Sequence, residues 1–160
     1  MSDRLTRLRA LFEREKLDAL IVSSPVDDVL GRHSQNRRYV SGFTGSTGIA
    51  VVTAERAVMV VDGRYTEQAE RECAPRGFAL YQMKGRLKEW LPGLVSEAGL
   101  ARKTVGISGA DMTYGGFVAL QEATNEMEEG ERPGFVAAKG VVEEMRWQKD
   151  AEEMRSLERA

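Results

Sequence analysis

Along residues 3–16, Leu5, Leu8, Leu11 and Phe12 recur at helical spacing, with Arg4, Arg7, Arg9, Glu13 and Arg14 on the other side. The pattern predicts an amphipathic helix from Asp3 to Lys16, with Ser2 or Asp3 able to cap its first amides. Leu17 to Ser23 is a short apolar run without alternation, which predicts a strand buried on both faces. Pro25 to Gln35 is polar and unpatterned and is expected to be an irregular connection containing His33. Asn36 is expected to cap a short helical turn over Arg37 to Ser41. Ile49–Thr53 and Ala57–Val61 are two apolar runs around Ala54-Glu55-Arg56, the signature of an antiparallel hairpin inside a sheet.

Past Asp62, helical spacing puts Tyr65, Ala69 and Cys73 on one face of a helix that Pro75 and Gly77 end. Phe78–Gln82 alternates as a strand nearer an edge. Arg86–Glu97 carries Leu87, Trp90, Leu91, Leu94 and Val95 at helical spacing, and Pro92 is expected to kink or shorten it. A strand over Thr104–Ile107 and a helix over Thr113–Ala123 follow. Asn125–Gly134 is acidic and predicts a surface loop, and Phe135–Ala138 a last short strand. Val141–Trp147 and Asp150–Arg159 are charged and helix-favouring, and Asp150 with Glu153 has the spacing of a capping box. Strands alternating with helices around one hairpin predict an α/β fold: a three-layer domain with a mixed β-sheet flanked by helices.

Composition narrows the function classes. A net charge of −2 gives no basic field for nucleic acid or an anionic membrane surface. No apolar run reaches the roughly 20 residues that a bilayer span needs. The polar amino terminus does not read as a secretory leader, and a lone Cys73 fits a reducing cytoplasm. With one histidine and one cysteine, a zinc site of the His/Cys kind and a Ser-His-Asp triad are both disfavoured, and Cys73 reads as a small core side chain.

Two stretches invite chemistry. Gly42, Gly45 and Gly48 resemble a phosphate loop in density, but they precede a strand and lack the Gly-Lys-Ser/Thr step, so tight turns and close packing are the expected role. Asp62-Gly63-Arg64-Tyr65 is a charged corner in which Arg64 either pairs with the carboxylate to fix the turn or faces a partner's site. Asp62, Gly63 and Tyr65 are read as its structural part.

Three motifs then fall in order. Asn36-Arg37-Arg38-Tyr39-Val40-Ser41-Gly42-Phe43-Thr44-Gly45-Ser46 precedes Ile49–Thr53; Val61-Asp62-Gly63-Arg64-Tyr65-Thr66-Glu67-Gln68-Ala69 follows; Val141–Met154 closes the series. Together they resemble the amino-terminal domain shared by Xaa-Pro aminopeptidases, prolidase and creatinase, the pita-bread metallopeptidases. The resemblance implies such a domain over residues 1–138, with 139–160 as a linker and the start of the first catalytic-domain helix. It implies two divalent metal ions, manganese in the usual case, held by two Asp, one His and two Glu of a carboxy-terminal domain. None of those motifs lies in this chain, so no catalytic residue and no metal ligand is carried over, and the chain by itself is expected to be inactive. Arg38, Tyr39, Phe43 and Arg64 become candidates for contact with substrate or with a neighbouring subunit. The implied partners are the chain's own catalytic domain, a peptide substrate and a second copy in a homodimer or higher oligomer. Val142, Met145, Trp147, Met154 and Leu157 are expected to form an apolar patch. A stand-alone binding module and a creatinase-type hydrolase domain are the alternative readings.

Overall fold

The computed structural model describes residues 3–23, 35–108 and 111–159. The expected connection from Pro25 to Gln35 with His33, and the Ser2 cap, lie outside them except for Gln35, which opens a helix rather than ending a loop. Six strands form one mixed sheet in the order β4-β3-β2-β1-β5-β6. They are β1 (Ala19–Val22), β2 (Ile49–Thr53), β3 (Ala57–Val61), β4 (Ala79–Gln82), β5 (Thr104–Ser108) and β6 (Gly134–Ala138). β1, β2 and β3 run antiparallel in turn, while β4 joins β3, β5 joins β1 and β6 joins β5 in parallel. β4 is at an edge, as its alternation predicts.

The central strands are buried on both faces because helices cover both. Leu20, Val22, Ala50, Val52, Met59 and Val61 point into one core with α1 (Asp3–Ala10), α2 (Phe12–Glu15), α3 (Gln35–Ser41), α4 (Thr66–Cys73) and α7 (Val141–Trp147). Ile21, Val51, Val58, Val60, Val105 and Ile107 point into the other, under α5 (Leu87–Ala98) and α6 (Tyr114–Asn125). This period-two division of each strand produces the three layers.

Four expectations change. The first helix is interrupted at Leu11, whose amide closes a tight turn on Leu8 O at 3.1 Å. Leucines at helical spacing look alike in a straight helix and in one broken by a single turn. Arg4, assigned to the wet side, is 8% exposed and sits beneath α3. α5 runs unbroken through Pro92, whose ring faces solvent, while Tyr81 Oη donates to Trp90 O at 2.7 Å beside the missing amide bond. The apolar patch also divides: Val142 and Met145 are core, whereas Trp147, Met154 and Leu157 are 82%, 47% and 60% exposed.

The last helix, α8 (Ala151–Glu158), opens on the reciprocal pair that its spacing predicts. Asp150 N donates to Glu153 Oε2 at 3.1 Å and Glu153 N donates to Asp150 Oδ1 at 2.9 Å. Arg4 Nε pairs with Asp150 at 2.5 Å and so ties this cap back to α1.

Candidate functional site

The motif residues collect at one end of the sheet, where β1 and β3 finish and β2 begins. The glycine-dense loop 42–48 is fastened there from three sides. From below, Arg37, 2% exposed, donates to the carbonyls of Gly45, Ser46 (3.4 Å) and Gly48 (3.1 Å). On the outer side, Glu72 of α4 accepts from the Thr44 amide and hydroxyl, both at 2.8 Å. At the crest, Ser46 Oγ and Tyr65 Oη share a hydrogen bond of 2.7 Å. Gly42 takes a φ of +78°, which favours glycine, and a Cβ at Gly48 would lie 3.2 Å from Val60 O. The loop therefore turns its carbonyls onto a cation, the opposite polarity to a phosphate cradle, which presents amides to an anion.

Phe43 fills the space beneath this loop. It is fully buried, edge-on to Tyr65 with ring centres 5.8 Å apart, and lies 5.1 Å below the Arg37 guanidinium. Tyr39 is also internal: Arg4 stacks on its ring at 4.2 Å, its hydroxyl donates to Met145 O at 3.4 Å, and Arg7 donates to that hydroxyl at 3.4 Å. It thus joins α1, α3 and α7. Burial raises the Tyr39 phenol above its ordinary value, with Arg7 and Arg4 working against the shift.

Arg38 and Arg64 face outwards. Arg38 borders a cationic groove shared with Arg4, Arg76, Arg146 and Glu153, and among the described residues its side chain makes no hydrogen bond. Arg64 grips Asp62 bidentately, Nε to Oδ1 at 3.1 Å and Nη2 to Oδ2 at 2.8 Å, and Asp62 Oδ1 also accepts the Arg64 amide at 2.9 Å. Asp62 thereby caps the 3₁₀ turn Gly63–Tyr65 that opens α4. Its hydrogen bonds from Arg64 hold its carboxyl below the usual value.

Two groups escape sequence reasoning. Asn36 is not a helix cap. It lies inside α3, 3% exposed, donating to Asp111 Oδ2 (2.9 Å) and Glu143 Oε1 (2.8 Å) and accepting from Arg146 Nη1 (2.8 Å). Asp111 in turn accepts the Ser23 hydroxyl on its carbonyl. Arg37 is the other: the run Asn-Arg-Arg-Tyr shows two arginines, and only helical phase sends the first inward and the second to solvent. Among the described residues, no three His, Cys, Asp or Glu side chains converge as a metal cage. No helix among them is long and apolar enough to cross a membrane.

Residues 4–148 match the Creatinase/Prolidase N-terminal domain family. The uncharacterized peptidase YqhT of Bacillus subtilis is 31% identical over 157 residues, which are 98% of this chain and 39% of that protein. The N-terminal domain of the cytoplasmic peptidase PepQ from Mycobacterium tuberculosis has a TM-score of 0.68 at 32% identity, covering 91% of this chain and 100% of that one. The Xaa-Pro dipeptidase from Bacillus anthracis gives a TM-score of 0.75 at 25% identity, covering 96% of this chain and 38% of that one. The chain thus spans about two fifths of the full-length peptidases that it matches. It belongs to the creatinase/prolidase amino-terminal domain family.

Proposed function

We propose that this chain is the non-catalytic lobe of a metal-dependent Xaa-Pro peptidase, shaping access to an active site and helping the subunits associate. The observation that carries this reading is the coverage: nearly all of this chain aligns with YqhT, yet it accounts for only 39% of that protein. The metal ions, the cleavage of a bond next to proline and a cytoplasmic location belong to the proposed whole protein.

The exposed Trp147, Met154 and Leu157 support the same reading, since three large apolar side chains on the closing helices stand in solvent among the described residues. Arg38 and Arg64 are the proposed contacts with a substrate carboxylate or a neighbouring subunit, because their guanidinium groups reach solvent. Tyr39 and Phe43 hold the elements that carry them.

The test is an Xaa-Pro peptide assay with manganese, run on this chain and on a YqhT-like full-length peptidase carrying it as its first lobe. No cleavage by the chain and turnover by the longer protein are expected. In the longer protein, Arg38→Ala and Arg64→Ala should raise KM more than they lower kcat. Cleavage by the purified chain alone would overturn the assignment.

A further inference from the structure

Opposite the helical layer that carries α3 and α7, a cavity of about 300 Å³ lies between the sheet and the pair α5/α6. Its floor is apolar: Ile21 and Val51 from the sheet, Trp90, Leu91 and Leu94 from α5, and Leu120 from α6. Its rim is made of small or polar exposed residues, among them Thr47, Thr113, Gly116 and Ala119, so it opens to solvent. Such volume and lining suit a small ligand, whose orientation is set by the few polar groups present.

The position has a topological reason. β1 and β5 are parallel neighbours, and the chain leaves them in opposite directions. After β1 it goes to α3 and β2 across one face; after β5 it goes to α6 and β6 across the other. A crevice outside the carboxyl ends of such a strand pair is where α/β sheets receive ligands.

The charge at this crevice is negative. Asp111, 5% exposed, is a wall residue. Its Oδ2 accepts from Asn36, its Oδ1 takes no hydrogen bond and its carboxylate makes no ion pair among the described residues. The Asn36 amide nitrogen that reaches Asp111 also donates to Glu143, and its oxygen accepts from Arg146. Arg37 is hydrogen-bonded to loop carbonyls, with Asp111 within its electrostatic reach. Among the described residues, Asp111 is the one charged residue lining the cavity, so a cationic ligand held there would meet a carboxylate and no competing guanidinium or ammonium in the wall.

We propose that this cavity binds a small apolar molecule carrying a protonated primary amine. A free arylalkyl amine and the amino terminus of a peptide with an apolar first residue share that chemistry. The site is independent of the peptidase assignment and does not need the catalytic portion.

Trp90 lines the cavity and supplies the signal, once Trp147→Phe has removed the exposed indole. The Trp147→Phe chain is titrated with phenethylamine, phenethyl alcohol and 3-phenylpropionate. The expected result is saturable fluorescence change with phenethylamine binding at least about tenfold tighter than either of the others, equivalent to about 1.4 kcal/mol. Ala119→Phe at the rim should abolish the change, and Asp111→Asn should erase the preference for the amine while leaving apolar binding. Phe-Gly-Gly decides the source: binding as tight as phenethylamine points to a peptide terminus, and failure to bind points to a free amine. Three outcomes overturn the site: no saturable change up to the solubility of phenethylamine, equal binding of the acid, or unaltered binding in a folded Ala119→Phe chain.

Discussion

Replacing Arg37 by methionine tests how the glycine loop is held. The guanidinium is almost fully buried, faces no carboxylate in an ion pair among the described residues, and has one nitrogen, Nε, without a partner. Two opposing effects follow from that geometry. Removing the charge relieves the desolvation that already lowers the pKa of this arginine. It also strips donors from the carbonyls of Gly45 and Gly48, and from Ser46 at a longer 3.4 Å. Leaving a buried acceptor unsatisfied costs about 1–3 kcal/mol. Two or three such losses give roughly 2–9 kcal/mol, about 4–6 at the middle of that range, against which the relieved burial offsets a part, because methionine fills similar space.

A net loss of about 2–3 kcal/mol is expected from urea unfolding, or a Tm lower by roughly 5–10 °C for a chain of this size. Hydrogen exchange at amides 43–48 should quicken beyond the global change, since the loop loses its inner fastening first. Arg37→Lys should be at least as unstable, because a compact ammonium keeps the buried charge but cannot fork to three carbonyls. A methionine variant within about 0.5 kcal/mol of the parent, with unaltered loop exchange, would show that charge burial cancels the clamp and would refute this account.

Four other outcomes follow. Phe43→Ala removes a fully buried ring and should cost about 3–5 kcal/mol in urea unfolding, with little urea-slope change. Cys73 is fully buried, and burial, then Glu72, pushes its thiol up to about 11, so a disulfide reagent at neutral pH should leave it unmodified until denaturant is added. Burial pushes Glu72 up, but hydrogen bonds from Thr44 and Gln68 outweigh it and hold the carboxyl below its ordinary 4.5. A depressed carboxylate stabilises above its unfolded pKa and loses that effect as pH falls, so Tm should drop below about pH 4.5, and less steeply in Glu72→Gln. Asn36→Asp places a third carboxylate beside Asp111 and Glu143; like charges raise carboxylate pKa values, so its Tm deficit should shrink as pH falls, and a constant deficit would contradict the contacts.

The sheet was legible because its signals are local. β2 and β3 are apolar runs around a three-residue turn, and β1 is an unalternating run, which only a doubly covered strand tolerates. The capping box at Asp150 was legible for the same reason, as both partners lie within one turn. The candidate site was less so. Nothing local distinguishes Arg37 from Arg38; the difference arises because α3 packs one against the loop and leaves the other in solvent. Asn36 read as a cap because it precedes a helical run, yet its partners are 75, 107 and 110 residues away. The cavity was invisible for a stronger reason: its walls come from β1, β2, α5, α6 and the connections beside them, and the apolar part of each element reads as ordinary core.

At the loop end, most polar and aromatic side chains are already committed to one another. Arg37 grips the glycine loop, Asn36 joins α3 to α7 and to Asp111, Tyr39 joins three helices, and Asp62 fixes the corner. The proposed role, a lobe that positions groups for chemistry carried out elsewhere, calls for such locking, since small misplacements at a substrate contact are expensive in rate. Among the described residues, few groups then remain for outside use: the guanidinium of Arg38, that of Arg64 already aimed by its carboxylate, the cavity mouth, and the exposed Met154 and Leu157 of α8. On the proposed function, a substitution at Phe43 or Tyr39 would therefore reach a peptide substrate only by shifting α3 and the Gly63–Tyr65 turn, which carry those arginines. Its kinetic signature in the longer protein should resemble those of Arg38→Ala and Arg64→Ala, accompanied by a stability loss that the arginine variants lack.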